Sequence, residues 1–140
     1  MKKHTMIAIV IAAVVGYAGA FAQDQSTGKY DCKSDKVKLN YLMGIRSENQ
    51  GLSESAMWQT AKIKMLYPNA DFADVKQVAD SLTVNGKTPS IRYKAYLASN
   101  VFDNPTWFAK RAQKNYEDGD EFFGAIAAQL QERILGSRTN

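Results

Sequence analysis

The chain has 140 residues, with 18 Lys and Arg against 14 Asp and Glu, and a formal net charge of +4. The cations are spread along the chain without a basic cluster, which argues against a nucleic-acid-binding protein. One histidine, His4, and one cysteine, Cys32, are too few for an ordinary zinc site and exclude a disulfide within the chain.

Residues 1–22 have the features of a secretory signal peptide. Lys2 and Lys3 precede an apolar run that ends in the small-x-small pattern Ala20-Phe21-Ala22. The apolar core is shorter than the roughly 20 residues that a membrane-spanning helix needs, so we expect cleavage before Gln23 rather than a retained anchor. The expected product is exported to the periplasm or the extracellular space and is not inserted in a membrane.

Removal of the signal peptide also removes His4. Catalysis by Ser-His-Asp or Cys-His groups is then excluded, because both need an imidazole base. Residues 23–34 form a polar segment with a glycine, which predicts a flexible lead. Cys32 in this lead could link two copies of the chain by a disulfide; the alternative is a thiol without a selected role.

The rest of the chain predicts one all-α domain of about six helices over residues 35–136, followed by a tail of residues 137–140. Ser34 or Asp35 is expected to cap the first helix and Ser53 the second, which should stop at Pro68. Asn69 or Asp71 is expected to cap the third helix. Glycine at position 86 should end that helix in the left-handed conformation.

Pro89 or its neighbours are expected to supply the first turn of the fourth helix, which should stop before Pro105. A shorter helix should follow, and Asp118 or Asp120 should cap the last one. In that last helix Phe123, Ala127, Leu130 and Ile134 recur at spacings of four, three and four, which predicts a buried stripe. The predicted pairs are hairpins over residues 35–67 and 71–103 and a capping hairpin over residues 105–136.

Two segments 39 residues apart are similar: LSESAMWQTAKI begins at Leu52 and IRYKAYLASNVF at Ile91. The segment KTPSIRYKAYLA, residues 87–98, has a proline that begins the helix, an arginine in its first turn and an alanine for close approach. Residues 35–103 thus resemble a HEAT-like helical repeat, whose period is roughly 40–47 residues. The resemblance implies a short α-solenoid of stacked hairpins; a compact six-helix bundle without a repeat is the alternative.

Solenoids often bind a partner on one surface. The polar candidates for such a surface are Gln59 and Lys62 on the second helix and Arg92 and Lys94 on the fourth, which would otherwise be solvated positions. Trp107 and Phe108 follow a turn and form either an exposed aromatic anchor or a hydrophobic staple. Trp58 is expected in the core.

Carboxylates at helix starts are candidates for acid catalysis, although capping explains them equally well. They are Asp71, Asp74, Glu117, Asp118, Asp120 and Glu121. The segment EDGDE does not have the alternating ligands and distal glutamate of a calcium loop. No metal or cofactor is therefore expected.

The sequence favours an exported helical-repeat protein that acts by contact with another exported protein, without catalysis. Such a protein would be an adaptor, an assembly factor or an inhibitor. The alternative is a small exported hydrolase that uses paired carboxylates on cell-wall glycan. A hydrolase needs two convergent carboxyl groups with at least one displaced pKa.

Overall fold

The structure, a computed structural model, describes residues 35–137 and is helical throughout, without a strand in that range. The all-α prediction is confirmed. The predicted signal peptide, the lead with Cys32 and residues 138–140 lie outside the described residues. The helices are α1 (Asp35–Ile45), α2 (Gln50–Leu66), α3 (Ala73–Asn85), α4 (Pro89–Asp103), α5 (Ala109–Ala112) and α6 (Gly119–Gly136), with a 3-10 turn at Pro105–Phe108 before α5.

Helices α1 and α2 form the first hairpin, and the cap of α2 differs from the predicted one. Asn49 caps α2, since its side-chain oxygen accepts a hydrogen bond from the backbone N–H of Leu52 at 3.0 Å. The predicted cap, Ser53, is buried within α2, where its hydroxyl donates to the carbonyl of Ile45 at 2.7 Å. Ser53 therefore satisfies a carbonyl at the end of α1 instead of an N–H at the start of α2.

Helices α3 and α4 form the second hairpin. Asp71 accepts a hydrogen bond from the N–H of Ala73, although the residue at the N-cap position is Phe72. Thr88 caps α4 by accepting a hydrogen bond from the N–H of Ile91 at 3.2 Å, and Pro89 is the first residue of α4, as predicted. Local side-chain chemistry thus fixes where α4 begins, whereas α3 has no side-chain cap at its N-cap position.

Gly86 ends α3, but in an extended conformation with φ −60° and ψ 138°. The prediction of a left-handed glycine is wrong. The reason for glycine is space, since a Cβ atom here would lie 2.6 Å from the carbonyl oxygen of Leu82 and 2.8 Å from a methyl carbon of Ile91. The turn between α3 and α4 passes too close to both helices for a side chain.

The two hairpins pack against each other, with α1 on α3 and α2 on α4. Helices α2 and α4 begin 39 residues apart, at Gln50 and Pro89, and the caps Asn49 and Thr88 have the same separation. The core that both hairpins share includes four buried alanines of α2 and α4, namely Ala56, Ala61, Ala95 and Ala98. Small residues at this contact allow the helices to approach closely.

The last third of the chain covers the same two helices. The 3-10 turn packs on α2 and α4, α5 on α2, and α6 on both α2 and α4. Phe122, Phe123 and Ile126 of α6 are buried against them. The predicted buried stripe of α6 extends as far as Leu130, but Ile134 is 44% exposed. The reason is that α6 continues past the other helices, so that residues 131–137 are all exposed.

No helix within residues 35–137 has both the length and the apolar character needed to cross a membrane.

Candidate functional site

A cleft of about 280 Å³ lies between α2 and the residues that begin α6. Helix α2 contributes Gly51, Glu54, Ser55 and Trp58, and the other wall is residues 117–120. Positions 51, 54, 55 and 58 fall on one side of a helix, because residues three and four apart share a face. The cleft therefore has an ordered wall on α2.

The opposite wall is held in place by the cap of α6. Asp118 accepts a hydrogen bond from the N–H of Glu121 at 2.9 Å, and the Glu121 carboxylate accepts one from the N–H of Glu117 at 2.9 Å. This reciprocal arrangement satisfies two backbone donors at once. The hydrogen bond from Glu117 and a second one from Lys114 hold the pKa of Glu121 below its usual range.

Lys94 of α4 joins the two walls at the edge of the cleft. Its ammonium nitrogen lies 2.5 Å from Oε2 of Glu54 and 2.5 Å from Oδ1 of Asp120. Lys94 is only 9% exposed, whereas Asp120 is open to solvent. One amino group thus links α2, α4 and the first turn of α6.

Glu54 has further polar partners besides Lys94. Its Oε1 accepts hydrogen bonds from the Gln50 amide at 2.8 Å and the Ser90 hydroxyl at 2.9 Å. Partial burial alone would raise the pKa of Glu54, but the hydrogen bonds from Lys94, Gln50 and Ser90 and the Lys94 charge outweigh it. The pKa of Glu54 is therefore held below its ordinary value, and the group stays ionised.

Burial alone would lower the pKa of Lys94, but this effect is likewise outweighed. The hydrogen bonds from Lys94 to Asp120 and Glu54, together with the charges of these two carboxylates, raise its pKa above the usual value. A lysine held in this way is protonated at neutral pH and is not a nucleophile. It serves as a fixed positive charge.

Trp58 gives the cleft an aromatic wall and also joins the core, where the prediction placed it. The ring is half-buried and packs against Phe122, with centroids 6.1 Å apart. A Cβ atom on Gly119 would lie 3.9 Å from Cε3 of Trp58, so this edge of the indole faces the start of α6. The indole nitrogen on the other edge is buried and has no hydrogen-bond partner in the described part of the chain.

The chemistry that this arrangement allows is recognition of a polar or cationic group. Glu54, Glu117, Asp118 and Asp120 line or border the cleft, and the single positive charge of Lys94, shared between Glu54 and Asp120, compensates only one of these four carboxylates. A proton donor for glycoside hydrolysis needs a raised pKa, whereas that of Glu54 is lowered. No group of three or more acidic, His or Cys side chains within residues 35–137 could hold a metal ion.

The structure does not bring the four predicted polar residues into one surface. Gln59 is exposed one turn from the cleft and donates to Ser55 at 3.5 Å, while Lys62 reaches the carbonyl of Lys114 at 3.5 Å. Arg92 is folded back on the carbonyl of Gly86 at 2.8 Å. The prediction that Lys94 is solvated is wrong, because its ion pairs with Glu54 and Asp120 keep its side chain buried.

The predicted aromatic pair is divided between surface and core. Trp107 is 40% exposed, and the guanidinium of Arg133 lies 4.8 Å from its ring centroid. Phe108 is 0% exposed, so its ring belongs to the core and is not available as an anchor. The 3-10 turn that contains both residues places consecutive side chains on different sides.

Glu54 and Ser90 are site residues that the sequence interpretation did not single out. The 39-residue repeat could have indicated the contact between Lys94 and Glu54, because it aligns Lys94 with Ser55, the residue next to Glu54. Stacking two hairpins in that register brings Lys94 close to Glu54.

The carboxylates that the sequence offered for catalysis do not all meet at one site. Asp71 pairs with Lys38 at 3.4 Å, and its pKa is lowered first by the hydrogen bond from Ala73 and then by Lys38. Glu117, Asp118 and Asp120 line the cleft, while Glu121 is engaged in the cap.

No family model, curated protein or solved structure matches the chain.

Proposed function

We propose that this chain is an exported protein that acts by binding another exported protein, without catalysis. The role would be that of an adaptor, an assembly factor or an inhibitor in the periplasm or outside the cell. The single observation that carries the proposal is the Lys94 bridge, which holds the side chains of Glu54 and Asp120 in place at the edge of an ordered cleft. Fixed charges beside an aromatic wall suit recognition.

The proposed partner places a basic side chain in the cleft. Its cationic group would meet Glu117, Asp118 and the outer side of Asp120, while its aliphatic stem would lie along Trp58. Gln59 extends this surface by one helical turn. The pairing of α1 with α3 and of α2 with α4 supports, as part of the proposal, a HEAT-like origin for residues 35–103.

The alternative, a carboxylate-dependent hydrolase of cell-wall glycan, has less support. Glu54, the partly buried carboxyl group of the cleft, has a lowered pKa, and so do Asp71, Asp80 and Glu121, which do not line the cleft. Lowering favours the charged form, which can accept a proton but is a poor donor at neutral pH. The cleft therefore suits a binding role better than acid catalysis.

Site-specific photo-crosslinking in the native host tests the proposal. A photoreactive residue in place of Ser55 reports on the cleft, and one in place of Gln77, exposed on α3, is the matched control. We expect a crosslink to one exported protein from position 55 only. The Glu117→Lys variant should abolish it, because the cleft would then repel a basic side chain.

The captured protein is then purified and its affinity for the exported chain is measured directly. We expect at least a tenfold loss of affinity for Glu117→Lys, since reversal of a charge in an interface pair costs about 1.4 kcal/mol or more. Equal affinity would refute the cleft as the binding site. Absence of a crosslink, together with release of sugar from purified cell-wall glycan, would favour the hydrolase.

A further inference from the structure

The projecting end of α6 carries apolar side chains that the fold leaves uncovered. Ile134 continues the stripe of Phe123 and Leu130, yet it is 44% exposed, and Leu135 is 52% exposed. The last turn is closed by Ser137, whose hydroxyl donates to the carbonyl of Ile134 at 2.8 Å. An ordered, capped helix end thus presents two large aliphatic side chains to solvent.

Trp107 adjoins this helix end. The contact that places it there is with Arg133, whose guanidinium lies 4.8 Å from the centroid of the indole ring. Arg111 of α5 lies along the same helix, with Nε 3.4 Å from the side-chain oxygen of Gln129. The side chains of Trp107 and Arg111 therefore reach the C-terminal half of α6.

The charges of this region are mostly positive. Lys110, Arg111 and Arg133 are its cations, and Glu132 is the one acidic residue within 105–112 and 129–137. A tryptophan and aliphatic side chains among cations form the composition that binds at the interface of an anionic bilayer. The cations meet lipid phosphates while the apolar groups enter the region below the headgroups.

We propose that the tip formed by Trp107, Ile134 and Leu135, with Lys110, Arg111 and Arg133 around it, docks the protein peripherally on an anionic phospholipid surface. Its shape favours lipid over protein, because a projecting helix end with three part-exposed side chains offers far less than the roughly 800 Å² that each partner buries in a standard protein interface. A fluid bilayer adapts to such a tip. This activity is separate from the cleft and does not depend on the proposed function.

Vesicle co-sedimentation tests the proposal with the protein purified after export. We expect binding to vesicles that contain phosphatidylglycerol, at least tenfold weaker binding to pure phosphatidylcholine, and loss of binding at high salt. Arg133→Glu should weaken binding to the anionic vesicles about tenfold or more. Leu135→Ser should weaken it about tenfold through the loss of apolar contact.

Leu52→Ser is the matched control, because Leu52 is an equally exposed leucine on α2, outside the tip. It should bind anionic vesicles like the unaltered protein. Trp58→Phe leaves Trp107 as the sole tryptophan of the chain, and its fluorescence should shift to the blue on binding. Failure to sediment with anionic vesicles at low salt, equal binding by Arg133→Glu, or an equal loss in Leu52→Ser would overturn the proposal.

Discussion

At the scale of single residues, Lys94 joins three helices. Its ammonium group pairs with Glu54 of α2 and Asp120 of α6, and its own backbone is in α4. The Lys94 and Glu54 side chains are 11% and 17% exposed, so water screens this pair less than a surface pair. Removal of one partner from such a pair leaves the other charge partly buried and uncompensated.

We expect Lys94→Met to lower the free energy of unfolding by about 2–4 kcal/mol, measured by urea denaturation. The double variant Lys94→Met with Glu54→Leu should recover most of the loss, because the stranded carboxylate is then gone. Lys114→Met is the control, since it removes an exposed lysine from Glu121 and should change stability little. An effect of Lys94→Met no larger than that of the control would contradict a central role for Lys94.

At the scale of elements, the turn between α3 and α4 depends on close approach. Gly86 lies between the carbonyl of Leu82 and the side chain of Ile91, and its dihedral angles are accessible to any residue. The glycine is required there by contact rather than by conformation. The same sequence pattern, Asn-Gly at a helix end, would ordinarily predict a left-handed cap.

Gly86→Ala should therefore destabilise the protein by about 1–3 kcal/mol, because the added methyl group meets a backbone atom that cannot move freely. Gly124→Ala is the matched change inside α6, where a Cβ atom would have nothing within 4 Å. It should stabilise the protein by about 0.5–1 kcal/mol through helix propensity. Thermal or urea unfolding of the two variants should give opposite signs, and a stabilising Gly86→Ala would show that the turn can open.

At the scale of the whole molecule, charge pairing defines the pH range of stability. The pKa values of Glu54, Asp71, Asp80 and Glu121 are lowered in the folded protein. The unfolded chain then binds protons more readily, so stability is complete above the unfolded carboxyl pKa values and is lost as pH falls through the folded ones. The pKa values of Lys76 and Lys94 are raised, so their contribution is present below about pH 10.5 and is lost as pH rises further.

We expect the free energy of unfolding to be nearly constant between about pH 6 and pH 9, since residues 35–137 contain neither histidine nor cysteine. It should fall below about pH 4.5, as the paired carboxylates take up protons. Urea denaturation across this range measures the profile. In Glu54→Gln the loss of unfolding free energy at acid pH should be smaller than in the unaltered protein. An equal loss below about pH 4.5 would show that Glu54 does not contribute to it.

The sequence alone determined the all-α class, most helix ends and the absence of an imidazole after residue 4, because caps, prolines and apolar spacing act locally. It placed the start of α4 at or near Pro89 and left Asp118 and Asp120 as alternative caps of α6, of which the structure shows Asp118. Ser53 and Gly86 have roles that depend on contacts with another helix. Only the tertiary structure brought Lys94 to Glu54 and Asp120, which are 40 and 26 residues away in sequence. It also decided that Phe108 is buried and Ile134 exposed, because periodicity gives the face of a helix but not where its neighbours end.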